Sequence, residues 1–394
     1  MDTATAKRTI GVGLVSVGWM GRIHSQSLRR VCYHHPELGL RPRLVIAADN
    51  VAERARYAVS DLGYEQATAD WREVVSHPEV ELVSITAPNF LHKELALGAI
   101  GMGRHIWLEK PAGRNLAETT EIAEAARRAG VMTAVGFNYR WPPAVQRARE
   151  LVAAGELGEV VHARSIFLND YAADPNVALS WRFQREPSGF GVMGDLMSHA
   201  IDLLHFLVGP VSEVSAQART VIAERPLPSA TGDHFARVEG GALGRVENED
   251  YAGALLRFVG GAVATCEVSR VTVGPRCQIA FDLYGSKGAV SWDFERMNEL
   301  RVCLGRSGPE HGYRTVLAGP GMGDYASFQP GPAISMSYDD LKVVEAANLL
   351  RSIEQGKQEG AGIEEARAAA AVVDAVARAA ESGHWEQVGA EARC

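Results

Sequence analysis

The chain has 394 residues, of which 46% are hydrophobic and 22% charged. At about 100–200 residues per domain this length implies two hydrophobic cores, and the composition is that of an ordinary globular protein. A formal charge of −8 disfavours nucleic acid or a membrane surface as partner, because phosphates are bound by basic surfaces, and points to a small-molecule substrate.

Residues 1–8 are short and polar, without the apolar run of a signal peptide, and no later stretch reaches membrane-spanning length, so a cytoplasmic protein is expected. Short apolar, β-branched runs then alternate with amphipathic stretches. Strands are expected over 9–15, 43–48, 81–87, 105–109 and 131–137. Helices are expected over 22–31, over 52–62 closed by Gly63, and over 116–129 closed by Gly130. This alternation predicts an α/β unit, a doubly wound parallel sheet of Rossmann type. After Asn138 the sequence Trp141-Pro142-Pro143 interrupts the pattern, which sets the domains at 1–138 and 139–394.

Beyond a helix at 144–154, strand-like runs predominate, at 160–169, 214–221, 254–258, 262–268, 278–284 and 289–294. The turns Gly260-Gly261 and Gly285-Ser286-Lys287-Gly288 join neighbours into hairpins, so the second domain reads as α+β with a large, mostly antiparallel open sheet. Residues 307–336 read as a long irregular loop, followed by helices at 341–355 and 364–381. The five cysteines, Cys32, Cys266, Cys277, Cys303 and Cys394, are scattered and read as free thiols.

Ser16-Val17-Gly18-Trp19-Met20-Gly21 follows the first strand and opens a helix, the position of a G-x-G-x-x-G dinucleotide fingerprint. Ser16 replaces the first glycine. Gly18 still admits a pyrophosphate, Gly21 still lets the helix approach the sheet, and the helix N-terminus offers free N–H groups to phosphate. A tight strand-to-helix turn without a ligand is the alternative. Asp49 ends the second strand, where a carboxylate accepts hydrogen bonds from ribose hydroxyls and repels a 2′-phosphate, so NAD is favoured over NADP. Its spacing from Gly21 is longer than the usual ~20 residues, which reads as an inserted loop at 34–42. Pro88, Asn89 and His92 follow the 81–87 strand at the ligand-binding edge, although Asn89 could simply cap the next helix. Glu109 and Lys110, before Pro111, lie at the same edge and complete the candidate cofactor contacts.

In Gly194-Asp195-Leu196-Met197-Ser198-His199-Ala200-Ile201-Asp202, helical periodicity puts Leu196, Ala200, Leu203 and Leu207 on one side and Asp195, His199 and Asp202 on the other. Residues four apart are helix neighbours, so Asp195 and His199 can face one ligand, and an imidazole is a natural acceptor for a hydroxyl proton. A surface ion pair is the alternative. Metal binding is not expected, and Asp202 and His205 read as structural.

Together, residues 15–24, Glu109-Lys110-Pro111 and Asp195-x-x-x-His199 resemble the Gfo/Idh/MocA family, named for glucose-fructose oxidoreductase, inositol dehydrogenase and a rhizopine catabolism protein. The match covers nearly the whole chain, with Ser16 departing from the common pattern. Within the family, residues 171–183 are similar to the loop of levoglucosan dehydrogenase and related sugar 3-dehydrogenases. The resemblance implies a catalytic group of Lys110, Asp195 and His199, with Lys110 and His199 touching the reacting hydroxyl, and a dimer or tetramer built through the second sheet. The expected activity is oxidation of a sugar or cyclitol ring hydroxyl by NAD. Tyr139, Arg140, Asn169, Asp170, Trp181 and Arg182 are substrate-binding candidates with Asp195 and His199. Two alternatives are a glycoside-cleaving enzyme that keeps its NAD and oxidises transiently, and a non-catalytic nucleotide or sugar sensor.

Overall fold

The computed structural model describes residues 7–228, 236–305, 308 and 311–389. The chain divides into two compact units, one of residues Met1–Gly113, Ala117–Trp141 and Met336–Ala366, the other of Arg114–Leu116, Pro142–Ser335 and Arg367–Cys394.

The first unit runs β1 (Arg8–Val15), α1 (Trp19–His34), β2 (Leu40–Ala48), α2 (Ala52–Tyr57), β3 (Gln66–Thr68), α3 (Trp71–Ser76), β4 (Leu82–Ile85), α4 (Asn89–Gly101), β5 (His105–Leu108), α5 (Leu116–Ala129) and β6 (Thr133–Val135). All pairings are parallel, in the order β3-β2-β1-β4-β5-β6. The order reverses between β1 and β4, the crevice where such sheets take their ligands. The last six residues of β1 are buried, as expected of a parallel strand covered on both faces. α2 continues as a π turn over Ala58–Leu62 and stops at Gly63, whose φ of 89° is open to glycine at little cost. The expected inserted loop at 34–42 is shorter than the sequence indicated, because β2 begins at Leu40 and pairs Pro42 with Ile10. On its other side β3 reaches only Ile46 to Ala48, so the missing N–H of Pro42 breaks no ladder there.

The second unit holds α6 (Pro143–Ala153), β7 (Val160–Asn169), α7 (Arg185–Ser188), α8 (Ser198–Leu207), β8 (Val211–Arg219), the short pair β9 (Glu224–Pro226) and β10 (Leu243–Arg245), then β11 (Tyr251–Phe258), β12 (Val263–Ser269), β13 (Cys277–Gly285), β14 (Gly288–Asp293), β15 (Glu299–Leu304), β16 (Arg314–Leu317) and α9 (Tyr325–Phe328). With β17 (Glu386–Gln387) the long strands form a nine-stranded sheet in the order β16-β15-β14-β13-β7-β12-β11-β8-β17. Every pairing in it is antiparallel except β7 with β12. The hairpins turn at Gly260-Gly261 and at 285–288, as the glycines indicated.

Two expectations change. Residues 307–336 are not wholly irregular, since β16 adds to the sheet edge and α9 follows. The boundary after Asn138 is only part of the division. A local proline signal marks the cut at Trp141/Pro142, but α10 (Tyr338–Gln355) packs into the first unit through apolar residues such as Val343, Val344, Ala347 and Leu350, which are buried there. Such long-range burial leaves no mark at the boundary itself. The last helix, α11, spans Ile363–Ser382. Cys32, Cys266, Cys277 and Cys303 are free thiols, while Cys394 lies outside the described residues. Among the described residues no helix is long and apolar enough to cross a membrane.

Candidate functional site

In the first unit, the turn from β1 into α1 is held by Asp49. This buried carboxylate accepts from Val17 N through one oxygen (2.8 Å) and from Val51 N through the other (2.9 Å). Ser16 takes the first glycine's place in the left-handed region, at φ 76°, a conformation costing a non-glycine residue roughly 1–2 kcal/mol. Its N–H donates to Ala48 O at 2.8 Å, and its carbonyl accepts from Thr86 Oγ1 at 2.7 Å. A Cβ on Gly21 would lie 2.3 Å from Ser16 O, so glycine is required for helix and turn to approach. A Cβ on Gly18 would meet no protein atom within 4 Å. Gly18 therefore guards free space at the start of a helix whose first turn has no acidic residue and no side-chain cap. Open space at an uncapped helix N-terminus can take a phosphate group, and a carboxylate beside it can accept from hydroxyls.

Trp19 is exposed and stacks on Tyr338 of α10, with ring centroids 5.8 Å apart, while Tyr139 meets Tyr338 edge-on at 6.3 Å. Tyr139 and Arg140 are buried in a short 3₁₀ turn. Met20 is partly buried in the first turn of α1. Pro88 is the N-cap of α4 and Asn89 its first residue, so Asn89 does not cap that helix. His92 is buried with its two ring nitrogens 2.8 Å from the carbonyls of Ala87 and Pro111. It spans the ends of two neighbouring strands, and burial lowers its pKa.

Lys110 follows β5, half-buried, and its N–H donates to Glu109 Oε2 at 3.3 Å. Glu109 Oε1 in turn lies 3.0 Å from His24 Nε2 and 2.5 Å from Lys342 Nζ, and Lys342 also reaches Glu345 Oε1 at 3.0 Å. All four side chains are buried. Burial pushes the His24 imidazole down to about 4 and pushes the Glu345 carboxyl up to about 7. For Glu109 burial also opposes the charge, but the Lys342 ammonium and the His24 hydrogen bond outweigh it and hold the carboxyl well below its ordinary range. Lys342, buried against two carboxylates, is held above its ordinary value by Glu109 and Glu345. His24, Glu109 and Glu345 bring metal-ligand types within 4.8 Å of one another. The Lys342 ammonium already places a positive charge between the two carboxylates.

In the second unit, Asp195 and His199 do not sit on a regular surface helix. Met193–Met197 form a π turn leading into α8, and from Gly191 to Leu204 only Asp195 is not fully buried. The two-faced helix expected from periodicity is thus buried on both faces. The Asp195 carboxylate accepts from Tyr171 Oη at 3.0 Å and has Arg182 Nη1 at 3.9 Å. Burial, and then the Asp195 charge, push the Tyr171 phenol up, so it stays a neutral donor. Arg182 lies over the Trp181 ring at 4.6 Å. The His199 ring is buried 5.9 Å from that of Phe167. Asn169 Oδ1 accepts from Tyr171 N at 3.0 Å, and Asp170 pairs with exposed Arg276 at 2.6 Å. Asp202 is buried, and His205 Nε2 accepts from Val211 N at 3.4 Å.

Of the candidates, the structure groups Trp181 and Arg182 with Asp195, and Glu109 with Lys110. Sequence reasoning missed Tyr171 as a partner of Asp195, and missed Lys342, Glu345 and Tyr338 altogether. The available signal for Lys342 and Glu345 was a pair of opposite charges spaced i, i+3 within the mostly apolar stretch 341–350; Tyr338 left none.

The sequence matches the family model described as oxidoreductase family, NAD-binding Rossmann fold over residues 10–137, and the GFO/IDH/MocA C-terminal domain over residues 145–291. Levoglucosan dehydrogenase from Pseudarthrobacter phenanthrenivorans is 34% identical over 385 residues, 97% of this chain and 98% of that protein. Myo-inositol 2-dehydrogenase from Thermotoga maritima is 26% identical, over 74% of this chain and 77% of that one. Among solved structures, levoglucosan dehydrogenase in complex with NADH and levoglucosan superposes with a TM-score of 0.91 at 32% identity, covering 97% of this chain and 100% of the other.

Proposed function

The chain belongs to the Gfo/Idh/MocA family of oxidoreductases, and we propose that it is an NAD-dependent dehydrogenase that oxidises a ring secondary alcohol of a sugar, anhydrosugar or cyclitol to the ketone. The observation that carries this reading is the likeness over 97% of the chain to levoglucosan dehydrogenase, whose structure is known with NADH and levoglucosan. NAD, when bound, supplies the hydride acceptor. Gly18, Gly21 and the N-terminus of α1 hold its pyrophosphate, and Asp49 takes the adenosine ribose.

In this reading His199 accepts the proton of the substrate hydroxyl at a ring nitrogen, and the Lys110 ammonium stabilises the negative charge that develops on the oxygen. Such charge stabilisation, with water excluded, is worth about 2.7–4 kcal/mol for one donor. Asp195, already the acceptor for Tyr171, lies beside substrate hydroxyls and His199. Arg182 and Trp181 bind the sugar. The enzyme works in the cytoplasm as a homodimer or homotetramer through the open nine-stranded sheet.

The test incubates the purified protein with NAD or NADP and a panel of cyclitols, free sugars, anhydrosugars and glycosides, following reduced-nucleotide absorbance and the ketone. We expect one reduced nucleotide per ketone, with NAD preferred. Lys110→Ala lowers turnover by about 10²–10³ while NADH binding changes little. Nucleotide binding without reduction of any panel member contradicts the reading.

A further inference from the structure

Both oxygens of the Glu109 carboxylate are held by hydrogen bonds. One oxygen takes the buried Lys342 ammonium at 2.5 Å and the His24 ring at 3.0 Å. The other accepts the backbone N–H of Lys110 at 3.3 Å. Across the strand end lies Gly136, where a Cβ would come within 2.6 Å of that carboxylate, so its place depends on a bare backbone. His24 is itself fixed, stacked flat on Trp107 with centroids 3.6 Å apart and its second nitrogen 2.9 Å from Ser84 Oγ. The cation in this arrangement comes from a helix more than 200 residues along the chain.

α10 is registered against the nucleotide turn by contacts that bracket Lys342. Tyr338, one turn before it, stacks on Trp19 at the start of α1. Asp340 pairs with Arg30 of α1 at 2.6 Å and closes the capping box of α10 with Ser337. Glu345, one turn after it, takes the Trp107 indole N–H at 2.5 Å. A buried ammonium with two carboxylate partners is costly to move, because displacing it leaves uncompensated charge in the core.

We propose that Lys342 is a positioning residue for Lys110, acting through Glu109. Its ammonium keeps the Glu109 carboxylate ionised and fixed, and that carboxylate anchors the backbone from which the Lys110 side chain departs. This rests on the reading that Lys110 stabilises the reacting oxygen. A loss of register of about 1 Å at such a group can cost on the order of 10²-fold in rate.

The test is a double-mutant cycle on the full-length protein, with NAD and levoglucosan as probes. Lys342→Met is expected to lower kcat by at least about tenfold, with KM for NAD and NADH affinity, read by fluorescence titration, changing less than about threefold. Lys342→Arg, which keeps the charge, recovers part of kcat. In a Lys110→Met background, Lys342→Met has no further effect on the residual rate, because the residue through which it acts is gone. The same factor in both backgrounds, or a Lys342→Met enzyme as fast as the wild type, overturns the proposal. Should Lys342→Met fail to bind NADH, Glu109→Gln, a neutral isostere, carries the same cycle and the same expected non-additivity. A Lys110→Met enzyme with wild-type turnover defeats the underlying reading. An impaired Lys110→Met beside an unimpaired Lys342→Met defeats the positioning role alone.

Discussion

At the scale of single residues, the contact between Tyr171 and Asp195 is the most informative. A hydrogen bond to a charged group contributes about 1.5–3 kcal/mol, and this one is made by a phenol that burial keeps protonated. Tyr171→Phe removes the hydroxyl and little else. We expect kcat/KM for the sugar to fall about tenfold or more with NADH affinity unchanged, beside a loss of about 1.5–3 kcal/mol of stability. An equal loss of NADH binding would show that Tyr171 supports the fold instead. The two glycines of the nucleotide turn separate just as cleanly. Gly18→Ala meets open space in the protein and should leave the melting temperature alone while weakening NADH binding. Gly21→Ala drives a methyl against the Ser16 carbonyl and should cost about 1–3 kcal/mol of stability, read by denaturant unfolding without ligand.

At the scale of elements, α10 decides how the buried charges behave with pH. Glu345 ordinarily titrates at 4.5 and is pushed up to about 7 by burial, so its contribution is present below 4.5 and is lost as pH rises through 7. His24 is shifted down to about 4 from 6.5, so its contribution is present above 6.5 and is lost as pH falls through 4. The two oppose each other between these limits. Glu345→Gln removes only the first, and its stability relative to the wild type should therefore rise between pH 5 and pH 8, measured by chemical denaturation. A difference that is flat with pH would mean that Glu345 is already ionised at the acid end. The other informative element is the segment from Met193 to Leu207. Apolar spacing correctly indicated a helix there, but with both faces buried the polar residues are interior groups, and the π turn at Asp195 leaves no sign in residue type.

At the scale of the whole molecule, the parallel sheet, the nucleotide turn and the hairpins were legible because each follows a local rule. Alternation of strand and helix, a glycine where a Cβ would clash and a Gly-Gly turn all operate within a few residues. The places of Asp49 and Lys110 at strand ends and of Asp195 and His199 on a helical segment were likewise visible. The assignment of Met336–Ala366 to the first unit was not legible, nor was the cation that α10 delivers to Glu109, since both depend on contacts between residues far apart in sequence. β16 was missed for a related reason. It lies in a Gly- and Pro-rich stretch whose strand character comes from pairing with β15.

In the proposed reaction, hydrogen passes directly from a sugar ring carbon to the nicotinamide while Lys110 and His199 handle the oxygen and its proton. Levoglucosan deuterated at its ring carbons, turned over with NAD and examined by NMR, tests it most directly. One deuterium at nicotinamide C4 for each ketone formed, and little such transfer in Lys110→Ala or His199→Ala, is the predicted result. Reduced nucleotide without deuterium, or transfer that survives both substitutions at the wild-type rate, would contradict it.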